Sequence, residues 1–177
     1  FYTFVTNIAL VYWIIQSNGT CDNCSIIIND ATVTSVDDIA IYIAANGSYE
    51  INDSTIIGDT GIYMKSGSLV ITDSTVSGTG ISSEPVAKDS GAKSTGDGIV
   101  LEVAEGYKGD IKLEIKGNSS VSSDYGYAVR EANTSVNSNN IKSITINEFV
   151  SLTGGKALIY LSEPTNITVE TASVDFW

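Results

Sequence analysis

Cys21 and Cys24 stand as Cys-Asp-Asn-Cys. That spacing does dithiol chemistry where it opens a helix in a βαβ unit, because the helix N-terminus lowers a thiol pKa. Here the pair follows Ser17-Asn18-Gly19-Thr20, a loop composition, so it reads as a loop staple or as two free thiols. Zinc would need more ligands than two. The chain has no His, which removes Ser-His-Asp triads, Cys-His pairs and His-ligated metal. Arg130 is the only arginine that could serve as a base or an anion clamp. Carboxylate pairs remain available in principle.

Three further sets recur at similar places along the chain. Asp38, Asp59, Asp97 and Asp124 each precede a Gly or Ala by one or two residues. Stacked carboxylates would repel unless solvated or bridged, and Ca²⁺ takes oxygen ligands of this kind. Turn chemistry accounts for the same residues, since Asp hydrogen-bonds its own backbone. Thr32, Thr55 and Thr75 precede an apolar residue, and Thr34 and Ser77 follow one. They form either a hydroxyl surface for a ligand or the solvated side of a strand. Tyr42 and Tyr63 belong to an apolar stripe, Val11, Tyr42, Tyr63, Val100, Ala128 and Ile159. If the stripe points outward it invites a sugar face or a covering loop; if not, the strand is buried on both faces.

What positions these residues is a repeat that returns six times. Its signature is apolar-x-apolar, a gap of a few residues, then one more apolar residue. Ile26/Ile28/Val33, Tyr49/Ile51/Ile56, Leu69/Ile71/Val76, Leu113/Ile115/Val121, Ile144/Ile146/Leu152 and Ile167/Val169/Val174 fall in register. A Gly or Ala introduces each unit: Ala9, Ala40, Gly61, Gly98, Gly126 and Ala157. The shortest interval is about 20 residues, and longer ones carry insertions, about 16–24, 81–95 and 130–140. Alternation predicts short strands with one face buried. With no helical pattern between them, equivalent strands must stack in parallel, one per coil. The expectation is an all-β, single-stranded, right-handed parallel β-helix of about six coils, one domain over residues 1–177.

With 21 acidic and 9 basic residues the net charge is −12, which opposes nucleic acid and anionic lipid. The apolar stretch from Phe1 to Ile15 is too short to span a membrane and has no basic flank. It reads as the first coil, with Ala9-Leu10-Val11-Tyr12 aligned on Ala40-Ile41-Tyr42-Ile43. There is no initiator Met, and Val174-Asp175-Phe176-Trp177 still follows the repeat, so the chain reads as part of a longer solenoid. Neither end shows a cap, and end-to-end self-association is expected of such ends.

Ile71-Thr72-Asp73-Ser74-Thr75-Val76-Ser77-Gly78-Thr79-Gly80, Ser94-Thr95-Gly96-Asp97-Gly98-Ile99 and Ile115-Lys116-Gly117-Asn118-Ser119-Ser120-Val121 resemble the pectate-lyase-like β-helix repeats of large bacterial surface proteins, often adhesin-like. The resemblance covers nearly the whole chain. It implies an extracellular or cell-surface protein and a non-catalytic stalk or adhesion module that meets a glycan or host surface. No cofactor is required, and Ca²⁺ is the one ion the acidic set would take. The alternatives are a polysaccharide lyase or hydrolase, which the missing His and single Arg disfavour, and an ice-binding surface. Thr32-Val33-Thr34 and Thr75-Val76-Ser77 resemble the flat Thr faces of ice-binding β-helices, interrupted here by Ile57 and Asp175.

Overall fold

The computed structural model describes residues 8–10, 15–17, 23–81, 86–87, 93–103, 110–133, 142–161 and 165–170. Among the described residues there is no helix. The chain winds through three six-stranded sheets, all parallel. Sheet A holds Ile8–Leu10, Thr32–Ser35, Thr55–Gly58, Thr75–Gly78, Ser120–Ser123 and Ser151–Gly154. Sheet B holds Ile15–Ser17, Ile39–Ile43, Thr60–Met64, Ile99–Val103, Tyr127–Asn133 and Ala157–Tyr160. Sheet C holds Ser25–Asn29, Ser48–Asn52, Gly67–Thr72, Ile111–Lys116, Lys142–Ile146 and Asn166–Val169. Each coil gives one strand to A, one to B and one to C, so strand order within a sheet is sequence order. This is the parallel β-helix that the repeat predicts; right-handed winding is what parallel crossovers favour.

The register of the repeat holds in sheets C and A. Ile26 pairs with Tyr49, Tyr49 with Leu69, Leu69 with Leu113, Leu113 with Ile144 and Ile144 with Ile167. Val33, Ile56, Val76, Val121 and Leu152 stack likewise. These columns point inward and form one core with Ile41, Ile62, Ile99 and Val129 of sheet B. Ile and Val suit this place because a β-branched chain fills the pleat at little cost in rotamer freedom.

Sheet B corrects the alignment at both ends. Ala9 lies in sheet A beside Thr34, and it is Ile15 that pairs with Ile41. In the fifth coil Val129 pairs with Ile99, so Ala128, not Gly126, continues the small-residue column after Gly98. In the sixth coil Ile159 pairs with Val129, so Ile159 lies in the inward column and Leu158 stands beside Ala128. Corners of unequal length cause these slips, and a one-residue slip turns a side chain to the other face. The small residue is required at Gly61, where an added Cβ would lie 2.6 Å from the Gly98 carbonyl oxygen and 2.7 Å from Val76 Cγ1.

The corner from sheet C to sheet A repeats a left-handed residue: Asp30, Asp53 and Asp73 at φ 49°, 47° and 48°, then Gly117 at 64°. Asp tolerates this region because its carboxylate bonds nearby backbone. Asp73 Oδ1 accepts the Asn118 N–H of the next coil at 2.8 Å.

The insertions leave at the other corners. Gln16 and Arg130 both lie within sheet-B strands, so the first and third excursions begin later than the sequence suggested. The second carries a small antiparallel pair, Val86–Ala87 with Lys93–Ser94. Among the described residues no helix is long and apolar enough to cross a membrane.

Candidate functional site

Solvent-facing hydroxyls line sheet A. Thr32, Thr55, Thr75, Ser120 and Ser151 form one column and Thr34, Ile57, Ser77, Ser122 and Thr153 a second. Strand alternation turns both columns outward while Val33, Ile56 and Val76 fill the core between them. The hydroxyls bond along the rod: Ser77 and Ser122 lie 3.0 Å apart, and Ser120 donates to Thr75 at 3.2 Å. The result is a polar ladder half-buried to exposed, with Ile57 as an apolar break.

The four Asp residues do not form a ladder. Asp38 is buried and accepts the Ile39 N–H at 2.7 Å. Asp59 meets Asp38 through backbone, its N–H donating to the Asp38 carbonyl at 2.9 Å. Asp124 is exposed. Asp97 stands two residues ahead of Ile99 and therefore in line with Thr60 of sheet B, on a different column. It is buried, and every contact it makes is internal: the Tyr127 N–H at 2.8 Å, the Thr95 hydroxyl at 2.5 Å and the Arg130 guanidinium at 3.3 Å. The corner between sheets A and B varies in length from coil to coil, which breaks the column. Among the described residues no three acidic, Cys or His side chains come together to hold a metal ion.

The tyrosine stripe is not exposed. Tyr42 and Tyr63 are each 3% accessible and form a second apolar cluster with Ile39, Ala44 and Val100 on the outer face of sheet B. The strands Ile39–Ile43 and Thr60–Met64 are thus buried on both faces, which a solvated stripe would not be. Alternation shows which side chains leave the core; it does not show that the outer face is covered. The rings lie 6.0 Å apart, with Lys65 Nζ 5.9 and 5.8 Å from their centroids. The Tyr63 hydroxyl donates to Glu102 Oε2 at 2.5 Å, and Lys65 Nζ lies 3.2 Å from that same oxygen. Burial, then the Glu102 carboxylate, pushes the Tyr63 phenol well above its ordinary range. Tyr63 is therefore a neutral donor and no phenolate base at neutral pH.

Three features escape a reading of the repeat. Ser54, Ser74 and Ser119 are buried and stack at the C-to-A corner. Ala31, Ser54 and Ser74 N–H groups donate to the hydroxyls of Ser54, Ser74 and Ser119 at 3.1, 3.0 and 3.2 Å. Each hydroxyl in turn donates to a carbonyl of its own corner. This side-chain ladder satisfies backbone groups that the turning chain leaves unpaired. Its signal is the Ser before Thr55, Thr75 and Ser120. The second feature is an ion pair inside the core, Glu131 with Lys142. The third is Tyr127 stacked on Tyr160, centroids 4.9 Å apart, with Lys156 Nζ 5.5 Å from the Tyr127 centroid.

Cys24 is disulfide-bonded, and Cys21 is the one other cysteine of the chain. Cys21 lies outside the described residues. The Cys24 carbonyl accepts the Ser48 N–H at 2.9 Å, where sheet C begins. Comparison with protein-family models, with curated proteins and with solved structures finds no match to this chain.

Proposed function

We propose that this chain is a non-catalytic β-helical stalk or adhesion module of a secreted or cell-surface protein of bacterial type. The observation that carries the reading is how its reactive side chains are used. Lys65–Glu102–Tyr63, Asp97–Arg130 and Glu131–Lys142 are paired with one another, and all but the partly open Arg130 are buried. Catalysis needs groups aimed at a substrate, with pKa values matched to proton transfer. Groups consumed by neighbouring coils hold a rod together instead. The disulfide at Cys24 supports an oxidising compartment outside the cytoplasm. The hydroxyl ladder of sheet A and the insertions are the surfaces such a module would offer to a glycan or host surface.

The test is a glycan array and a panel of acidic polysaccharides, each run with Ca²⁺ and with chelator. The expected result is no depolymerisation under either condition. Saturable glycan binding would assign the adhesive role, and its absence would leave the stalk role. Release of unsaturated or hydrolysed sugars would overturn the reading in favour of a lyase or hydrolase.

A further inference from the structure

Asparagine follows a spacing that the core pattern does not require. Seven of the thirteen Asn have Ser or Thr two residues on with no Pro between, while Ser and Thr fill forty of 177 positions. That is more than twice what composition gives by chance. Asn-x-Ser/Thr is the acceptor pattern for a sugar joined to the Asn amide of an exported chain. Five of these Asn lie among the described residues, and the fold sorts them. Asn52 ends the strand Ser48–Asn52, is half-buried, and its Nδ2 donates to Asn29 Oδ1 at 2.9 Å. Asn166 is held in the strand Asn166–Val169. Asn23, Asn46 and Asn118 stand at corners between strands and are exposed. Their side-chain amides make no hydrogen bond among the described residues. Asn23 and Asn46 are neighbours in one column, since the Asn23 N–H donates to the Asn46 carbonyl at 3.0 Å. Coils lie about 4.8 Å apart, so that column has room for one glycan. Asn46 is the more open of the two: Gly47 follows it without a side chain, whereas disulfide-bonded Cys24 follows Asn23.

We infer that Asn46 and Asn118 are modification sites at which the chain carries N-linked sugar, an inference that rests on the reading of the chain as secreted or cell-surface. In that modification Nδ2 forms a bond to the anomeric carbon of a sugar. The bond from that carbon to a diphosphate leaving group breaks, and the amide gives up one proton. The donor is a glycosyl diphosphate, and the transferase is a separate enzyme. The hydroxyls two residues on are Ser48, which is exposed, and Ser120, which donates to Thr75 Oγ1 at 3.2 Å on the outer ladder. Neither belongs to the core. A sugar at Asn52 would instead break the bond to Asn29. Asn46 precedes the strand Ser48–Asn52 and Asn118 follows the strand Ile111–Lys116, so the two sites lie at opposite edges of sheet C.

The test uses the chain recovered from the cells that make it, with surface and medium separated from cytoplasm. Cutting after Glu50, Glu84, Glu114 and Glu131 puts Asn46, Asn52 and Asn118 on the separate peptides 1–50, 51–84 and 115–131. Mass spectrometry is expected to find sugar on 1–50 and 115–131 and none on 51–84. Asn46→Gln and Asn118→Gln are each expected to remove the sugar from their own peptide. Ser48→Ala and Ser120→Ala leave the Asn in place and are expected to do the same, because the acceptor pattern needs the hydroxyl. Bare peptides from chain found at the surface or in the medium would overturn the inference and leave the secreted reading standing. Chain retained in the cytoplasm would overturn both. Sugar on 51–84, on 1–50 after Asn46→Gln, or on either serine variant's peptide would overturn the assignment of the sites.

Discussion

Glu131 and Lys142 sit where the preceding coil has Leu101 and Ile111, which are their register partners. Both partners belong to the hydrophobic core. Glu131 is wholly buried and Lys142 is 6% accessible, and the two bond each other across the mouth of an insertion. Taking two charges from water costs several kcal/mol each, and their mutual attraction offsets that only while both are present. Glu131→Leu takes the carboxylate from buried Lys142, and Lys142→Ile takes the ammonium from buried Glu131; each is expected to cost about 3–5 kcal/mol. That is a large fraction of the roughly 5–15 kcal/mol that a domain has in total. The double variant copies the fourth coil and is expected to be neutral or about 1–4 kcal/mol more stable than wild type. Guanidinium unfolding of the four proteins of this cycle, followed by circular dichroism, measures the coupling directly. Single variants that cost under about 1 kcal/mol would refute the reasoning, because the pair would then be solvated. A double variant as unstable as the sum of the singles would refute it too.

Other expectations follow from the same physics. Ser74→Ala leaves the Ser54 N–H without its acceptor and is expected to cost about 1–3 kcal/mol, read as a lower denaturation midpoint. Asp97→Ala strips an acceptor from the Tyr127 N–H, the Thr95 hydroxyl and Arg130 at once; a cost of about 3 kcal/mol or more is expected, and Asp97→Asn should recover part of it. The folded-state pKa of Tyr63 is raised above its unfolded value of about 10. Its contribution is therefore complete below pH 10 and lost as pH rises further, at about 1.4 kcal/mol per pH unit, and Tyr63→Phe should flatten that alkaline slope in a stability–pH profile.

The sequence speaks clearly about the columns that alternate. Ile26, Tyr49, Leu69, Leu113, Ile144 and Ile167 could be set in register from their spacing alone, because a period of two fixes which face each residue takes. It speaks less clearly where corners vary: spacing aligns Ala9 with Ala40 and Gly126 with Gly98, whereas Ala9 lies beside Thr34 in sheet A and Ala128 follows Gly98. Burial of the outer face around Tyr42, Tyr63 and Val100 is a tertiary fact. Nothing local to Tyr42 or Tyr63 distinguishes a covered tyrosine from one open to a sugar. Glu131 and Lys142 are hidden for the opposite reason: a charged residue in an alternating segment reads as solvated, and pairing across the lumen helps make burial tolerable. The Asp residues read first as turn residues and second as Ca²⁺ ligands. In the fold Asp38 bonds the backbone of the following residue and Asp97 accepts from three donors.

The central claim is that side chains able to do chemistry are held in coil-to-coil ladders, and it stands on the register of those coils. Disulfide trapping measures that register directly. Thr55 and Thr75 are paired across adjacent coils, so Thr55→Cys with Thr75→Cys places the two Cα atoms about 4.8 Å apart, within reach of a disulfide. Thr55→Cys with Ser77→Cys sets the second thiol one repeat of the pleat further along and serves as the contrast. The account predicts rapid crosslinking of the first pair and little of the second, read by mass spectrometry of tryptic fragments. Preferential trapping of the Thr55–Ser77 pair, or equal trapping of both, would contradict it.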